Sequence, residues 1–255
     1  MEIVDFNLIK KNILGCKIPK PLSGTISGHA AGEPFDKFVF SEIKKNYSNT
    51  YRQFEFLNDL YLKNLGCQTF EDRQKLISSK SLGFLLNRGK KATKDWTSQK
   101  QFYEKQNDTA DIIVLSDNFL EIIDIKTKNL SKDAQPPNII SSFKLANACA
   151  LILENNEFED FSIRYFGLDW ILENDFLICK DVHFADLFRT NPEELYINWA
   201  AAMQIQFKVE DLDQSFDENL KEWAILYLRH YVKGTMNRVR YMENKFASPF
   251  MKYIL

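Results

Sequence analysis

Asp111, Asp124 and Lys126 lie within one short, largely apolar stretch, residues 111–126, of this 255-residue sequence. Two carboxylates that approach each other repel, and one takes up a proton unless a cation lies between them. Mg²⁺ binds through one or two carboxylates and keeps other positions for water and phosphate. Such an ion lowers the pKa of a nearby water and stabilises charge on a phosphate, while a lysine beside it holds the phosphate or the attacking water. The three residue types together predict phosphodiester hydrolysis.

Two strands must position these side chains. Residues 111–115 and 119–125 are apolar runs rich in isoleucine, and residues 116–118 supply the turn between them, which is the pattern of a β-hairpin. Side chains two apart on a strand share a face, so Asp124 and Lys126 are expected to project together. The hairpin then brings the start of its first strand, at Asp111, opposite the end of its second.

An ordinary surface ion pair between Asp124 and Lys126 is the alternative interpretation, since the pattern D-x-K is common at strand ends. The apolar strand that Asp124 ends favours the nuclease interpretation, because burying a carboxylate there is costly without a metal or a charged partner.

The rest of the chain mixes helices and strands. Helices are predicted at residues 33–47, opened by Pro34, at 54–65, at 139–153 with Asn138 or Ser141 as the cap, and at 219–246; further strands are predicted at 161–166, 176–179 and 205–209. This order predicts an α/β fold of the α+β type, with a central mixed sheet flanked by helices, in a single domain over residues 1–255.

The charge of the chain is unevenly distributed. A net charge of −2 speaks mildly against a polyanionic partner, but residues 80–105 and 221–252 each hold seven Lys or Arg against two acids, and residues 154–194 hold eleven acids against three bases. This segregation predicts a basic surface that faces a polyanion, with solvated charged faces as the alternative. No apolar run is long enough for a transmembrane helix, the N-terminus lacks a signal-peptide pattern, and the four cysteines show no zinc-ligand spacing.

The hairpin resembles the PD-(D/E)xK nuclease signature, with Asp111 as the first acid and residues 124–126 as the D-x-K, although Ala110 stands where the signature has proline. The similarity extends well beyond this motif. The segments SGTISGHAAGEPF (23–35), EKQNDTADI (104–112), QPPNIIS (135–141), ELYINWAAAMQIQF (194–207) and the final KYIL resemble the HincII family of type II restriction endonucleases.

This resemblance implies the restriction-endonuclease fold and a homodimer that cuts double-stranded DNA at the centre of GTYRAC to leave blunt ends. It also implies Mg²⁺ as cofactor, replaceable by Mn²⁺, and a bacterial cytoplasmic location alongside a DNA methyltransferase of the same specificity. The alternatives are a nuclease of the same fold with altered specificity and a DNA-binding protein without catalysis. The intact set of Asp111, Asp124 and Lys126 speaks against the second alternative.

The resemblance also assigns roles to individual residues. It implies metal binding by Asp111, Asp124 and Ile125, with Lys126 as the catalytic lysine. The DNA contacts it implies are Gln135, a wedge inserted into the base stack from the minor-groove side, the base-reading Asn138 and Asn198, the phosphate-contacting Lys90, and Ala134 and Tyr196. Glu33 is a further candidate that supports the site from the helix after the glycine-rich loop. Pro136 and Lys128 depart from the family's pattern beside these positions.

Overall fold

The computed structural model describes residues 3–21, 29–65, 77, 79–89, 108–117, 119–133, 135–157, 160–200 and 203–254. In chain order the elements are α1 (Phe6–Ile13), β1 (Lys17–Pro19), α2 (His29–Asn46), β2 (Thr50–Tyr51), α3 (Gln53–Leu65), α4 (Lys80–Leu86), β3 (Ile112–Ser116), β4 (Phe119–Asn129), β5 (Asn138–Ser141), α5 (Ser142–Asn155), β6 (Phe161–Glu173), β7 (Phe176–Asp186), β8 (Ile197–Asn198), β9 (Gln204–Gln206), α6 (Leu220–Met242) and α7 (Ser248–Met251). A π turn at Glu243–Ala247 joins the last two helices.

Six strands form a mixed sheet in the order β1-β7-β6-β4-β3-β2. Only β4 and β6 run parallel, and the other neighbours in this sheet are antiparallel. The predicted hairpin is confirmed: β3 pairs with β4 from Ile112 opposite Ile123 to Ser116 opposite Phe119. β4 runs four residues beyond its predicted end because its parallel pairing with β6 continues to Asn129.

Helices cover both faces of this sheet, as the sequence predicts. On one face, Ile112, Ile123 and Ile125 pack with apolar side chains of α1 and α2. On the other, Ile113 and Ile122 belong to a larger buried cluster with residues from α3, α4, α5 and α6. Because successive side chains of a strand alternate between faces, Asp124 and Lys126 lie on the second face with Ile122. The two isoleucines that flank Asp124 anchor β4 in the opposite core.

A second, three-stranded sheet has the order β5-β9-β8. The prediction of a helix from residue 139 is wrong at its start, because Asn138 and Ser141 pair with β9 and the helix α5 begins only at Ser142. Of the two predicted caps, Ser141 is confirmed, since its hydroxyl accepts the Lys144 N–H at 3.4 Å. Asn138 is not a cap; it begins β5 instead.

Helix α2 also begins elsewhere than predicted. It starts at His29, so Pro34 lies inside the helix and does not open it. The prolyl ring removes one i to i−4 hydrogen bond, a cost that the burial of Phe35, Val39 and Ile43 offsets. Among the described residues, no helix combines the length and the apolar character that a membrane crossing requires.

Candidate active site and recognition strands

The structure brings Asp111, Asp124 and Lys126 together at one end of the hairpin. Asp111 directly precedes β3, and its Oδ2 accepts a hydrogen bond from the Ile125 N–H at 2.8 Å. The Lys126 Nζ lies 2.8 Å from Asp124 Oδ1 and 2.7 Å from Asp124 Oδ2. The Asp124 and Lys126 side chains are 13% and 22% exposed, so the pair is neither a fully solvated surface contact nor sealed in the core.

The electrostatics of the three groups are those of two acids competing for one cation. Burial and the negative charge of Asp124 raise the pKa of Asp111 to about 7, against the opposing effects of the Ile125 N–H and of Lys126. For Lys126, burial acts to lower the pKa, but the charge and hydrogen bond of Asp124, together with Asp111, outweigh it and raise the pKa above its usual value. The site therefore has a deficit of positive charge.

A hard divalent cation fits this arrangement. The described residues hold no group of three or more His, Cys, Asp or Glu side chains suited to a metal ion, so a protein-only cage is not present there. Two carboxylates and a backbone oxygen of Ile125 are instead the sparse oxygen set with which Mg²⁺ is usually held, the remaining positions going to water and phosphate. A cation here also relieves the repulsion that raises the pKa of Asp111.

A buried glutamine that sequence reasoning missed holds the backbone just ahead of Asp111. The Gln53 Oε1 accepts the N–H groups of Thr109 and Ala110 at 2.9 and 2.8 Å, and its Nε2 donates to Leu86 O and Asp108 Oδ1, both at 3.1 Å. This clamp explains the departure from the nuclease signature at position 110. A proline there has no N–H to donate, whereas Ala110 has one and uses it.

Arg52, next to Gln53, supports the same segment. Its Nη1 donates to Asp36 Oδ1 at 2.6 Å and to the backbone carbonyl of Asp111 at 3.2 Å. Two neighbouring residues on the start of α3 thereby fix the chain on both sides of the turn into β3. Nothing in the local pattern around residues 52–53 signals this role, because the backbone groups of residues 109–111 that they hold lie more than 50 positions further along the chain.

The small sheet joins the two predicted base-reading asparagines through Gln206. The Gln206 Nε2 donates to Asn138 Oδ1 at 2.7 Å, and the Asn198 Nδ2 donates to Gln206 Oε1 at 2.9 Å. The Gln206 backbone N–H also donates to the Tyr196 carbonyl at 3.0 Å, and the Tyr196 side chain is 61% exposed. Three amides in a row across β5, β9 and β8 form a polar edge that sequence reasoning predicted only in part, since it omitted Gln206.

The chain between β4 and β5 links the acidic site to this polar edge. Gln135 is exposed on it, and Pro136 beside it is half-buried. Lys128, the other departure from the family's pattern, donates to Glu210 Oε1 at 2.7 Å. The predicted DNA contacts Lys90 and Ala134 lie outside the described residues.

A cavity of about 100 Å³ lies between the acidic site and the small sheet. Its lining includes Asp124, Tyr165, Thr109, Lys144, Ser141 and Gln204. The Lys144 Nζ donates to Thr109 Oγ1 at 2.6 Å, and burial lowers the pKa of Lys144 to about 8. Lys144 was missed because it lies on the apolar periodic helix α5, where the sequence pattern reports only the core-facing stripe.

Glu33 lies in the second turn of α2, not at its beginning, since the helix starts four residues earlier. Its carboxylate is 2.8 Å from Lys37 Nζ, with both side chains largely exposed. Gly32 next to it approaches the end of the active-site strand: a Cβ on Gly32 would lie 3.2 Å from Thr127 Oγ1. Support of the site by Glu33 stays a prediction.

Known proteins match this chain over nearly its full length. The sequence model of the family described as restriction endonuclease HincII matches residues 9–254. The chain belongs to the HincII restriction endonuclease family. It is 52% identical over 248 residues to the type II restriction enzyme HindII of Haemophilus influenzae strain Rd, covering 97% of this chain and 96% of that one. It is 51% identical, with the same coverage, to the type II restriction enzyme HincII of Haemophilus influenzae.

Membership of the HincII family confirms three predictions. The resemblance drawn from the sequence segments is correct, the mixed sheet flanked by helices is the restriction-endonuclease fold, and the chain is an enzyme of the type II restriction endonuclease class.

Proposed function

We propose that this HincII-family enzyme hydrolyses both strands of double-stranded DNA at GTYRAC, with a blunt cut at the centre of the site and with Mg²⁺ as cofactor. The observation that carries the proposal is the convergence of Asp111, Asp124 and Lys126 at the end of one hairpin, in a chain about half identical to two type II restriction enzymes. A DNA-binding protein without catalysis has no use for two carboxylates that face a phosphate.

In this proposal each residue of the site has one task. Asp111 and Asp124 hold the cation through their carboxylates, and Ile125 contributes a backbone oxygen. A bound Mg²⁺ supplies positive charge at the scissile phosphate and acidifies water beside it. Lys126 keeps its proton at neutral pH, so its ammonium orients the attacking water or holds the non-bridging phosphate oxygen. Gln53 and Arg52 bond the backbone of residues 110 and 111 and so hold the Asp111 carboxylate beside Asp124, where both can bind the cation.

The polar edge of the small sheet recognises the bases of the DNA site in this proposal. Asparagine pairs bidentately with adenine N6 and N7, which suits Asn138 and Asn198 to the outer bases of the site. The central pyrimidine–purine step is easily unstacked, so a wedge at Gln135 reads its deformability and tolerates either order of Y and R. Lys90, Ala134 and Tyr196 complete the DNA contacts in this proposal.

A palindromic site calls for a twofold dimer in which each subunit cuts one strand. We accordingly propose a homodimer that works in the bacterial cytoplasm together with a methyltransferase of the same specificity, which protects the host's own sites.

The test is cleavage of a plasmid of known sequence by the purified enzyme in Mg²⁺, followed by sequencing of the ends. We expect blunt ends between Y and R at every GTYRAC and at no other sequence. Cleavage confined to a different sequence contradicts the specificity and leaves a nuclease of the same fold, whereas DNA bound but never cut contradicts the catalytic role.

A further inference from the structure

The last helix continues into an arm, defined here as residues 232–254, which comprises the second half of α6, the π turn and α7. The first half of α6 is firmly anchored, because Leu220, Trp223, Ala224 and Tyr227 are buried in the larger core. From residue 239 to residue 254 every residue is exposed. The arm therefore extends from a fixed root, with its outer half uncovered by the described part of the chain.

The arm exposes a much larger share of large hydrophobic side chains than the rest of the described chain does. Of the twenty large hydrophobic side chains exposed in the described residues, ten lie on these 23 positions: Val232, Met236, Val239, Tyr241, Met242, Phe246, Phe250, Met251, Tyr253 and Ile254, exposed by 43–78%. Together they expose on the order of 1,000 Å², which is comparable to the ~800 Å² that one partner gives to a standard protein interface.

The first apolar residues of the arm form a stripe. Val232, Met236 and Val239 are spaced four and three residues apart, which places them on one face of α6, and Met242 follows three residues later. A helix with a continuous apolar stripe is stabilised by packing that stripe against another element. Two copies of the same stripe fit each other in antiparallel orientation, which is the self-complementary contact of a twofold dimer.

The charges at the tip of the arm, residues 245–252, indicate which surface the tip contacts. The outer arm, residues 239–254, carries Arg240, Lys245 and Lys252 against one acid, Glu243. A groove of about 490 Å³ lies beside the root of the arm, between α6 and residues 193–200, and the exposed Glu193 and Glu194 line it together with Trp199, Gly234 and the arm's own Arg238.

The tip of the arm cannot occupy the groove of its own chain. Lys252 is 18 residues beyond Gly234, which is roughly 27 Å along a helix. A second copy whose stripe packs antiparallel on this one, however, brings its Lys245 opposite roughly residue 229, beside the groove, with Lys252 further toward the start of α6. Gly234 lets Trp199 pack closely against α6 at the wall of the groove, since a Cβ there would lie only 2.7 Å from the Trp199 ring.

We propose that the arm is a contact between two copies of this chain: the two stripes pack antiparallel across a twofold axis, and the basic tip of each arm lies at the groove of Glu193 and Glu194 in the other copy. This inference rests on the proposed dimeric nuclease and locates the surface that holds it together.

The first test is sedimentation of the purified full-length protein, without DNA, over a range of concentrations. We expect the wild type to sediment as a dimer and Val239→Glu to weaken dimerisation by at least about tenfold, because a charge then lies in the stripe. Leu172→Glu is the matched control, since Leu172 is a comparably exposed apolar residue on β6, outside the arm. A wild type that stays monomeric at micromolar concentration, or a Val239→Glu variant that dimerises like the wild type, overturns the proposal.

A charge exchange tests the groove. Glu193→Lys with Glu194→Lys is expected to weaken the dimer, and adding Lys245→Glu with Lys252→Glu to the same chain is expected to restore it. Failure of this rescue overturns the placement of the tip. If arm variants weaken DNA binding and leave sedimentation unchanged, the arm lies on DNA and the dimer contact is refuted.

Plasmid cleavage measured on the same preparations separates this inference from the proposed function. If the wild type dimerises through the arm but does not cut GTYRAC, the proposed function is refuted and the arm contact stands. If the wild type cuts GTYRAC but the arm substitutions leave its dimerisation unchanged, the arm contact is refuted and the proposed function stands.

Discussion

Asp111 is the residue at which the proposed metal site lowers the stability of the fold. Its carboxyl is held beside Asp124 and largely out of water, so the folded protein binds a proton there up to about pH 7, whereas the unfolded chain releases it near pH 3.8. The native state therefore gains stability from this proton below pH 3.8 and loses it as the pH rises through about 7. At neutral and alkaline pH, without a cation, the ionised Asp111 is a source of strain.

Asp111→Asn removes that charge and retains an oxygen for the Ile125 N–H. In the presence of a chelator at pH 8, we expect the free energy of unfolding of the variant, measured by urea denaturation, to exceed that of the wild type. The expected difference is about 1–2 kcal/mol, because solvent around the carboxyl screens part of the effect. The difference should shrink as the pH falls from about 7 and vanish near pH 4. Asp117→Asn, on the exposed turn of the hairpin, is the control. Parallel stability–pH curves for wild type and Asp111→Asn contradict the assignment.

The acidic site could be predicted from the sequence because its geometry is local. Strand alternation and a tight turn suffice to bring Asp111, Asp124 and Lys126 together. Gln53 and Gln206 could not be predicted, because each has at least one partner more than 50 positions away, Ala110 for Gln53 and Asn138 for Gln206, and a single sequence holds no record of which distant polar groups pair. The alanine at position 110 departs from the nuclease motif, and the hydrogen bond from its N–H to Gln53 explains that departure.

At the scale of elements, β4 connects the acidic site to the polar edge of the small sheet. The strand carries Asp124 and Lys126, and the segment that follows it carries Gln135 and leads into β5 at Asn138. A short length of chain therefore joins the proposed catalytic residues to the proposed base-reading residues.

Gln206 tests whether the polar edge reads bases. Gln206→Leu removes the partners of both asparagines, and we expect the ratio of kcat/KM between GTYRAC and single-base variants of its outer pairs to fall by about tenfold or more, since one bidentate base contact is worth about 1–3 kcal/mol. Gln206→Glu is the graded control, because it still accepts from Asn198 and no longer donates to Asn138. Equal discrimination by all three proteins contradicts the role.

Element boundaries were less predictable than element types. The hairpin, α3 and the closing helix lie close to their predicted positions, because each has a strong apolar period. β5 was taken for the start of a helix, since a four-residue strand is defined by its partner β9 and not by its own period. The start of α2 was missed because Pro34 is the usual first-turn residue and lies in the second turn here.

For the whole molecule, net charge is a poor guide to the partner. The sum of −2 averages basic and acidic stretches that serve different surfaces. One basic stretch includes the arm of α6, where charge and exposed apolar side chains coincide. The proposed arrangement uses the acidic stretch too, as the surface that receives the arm of the second copy.

The central claim is that Asp111, Asp124 and Lys126 form the hydrolytic site, and single-turnover cleavage of a duplex with one GTYRAC tests it most directly. The wild type should cut both strands in Mg²⁺ and neither strand in EDTA. Lys126→Met should slow cleavage by about 10³-fold or more, while its affinity for the same duplex, measured without Mg²⁺, stays within a few-fold of the wild type. Cleavage by Lys126→Met at the wild-type rate would contradict the account.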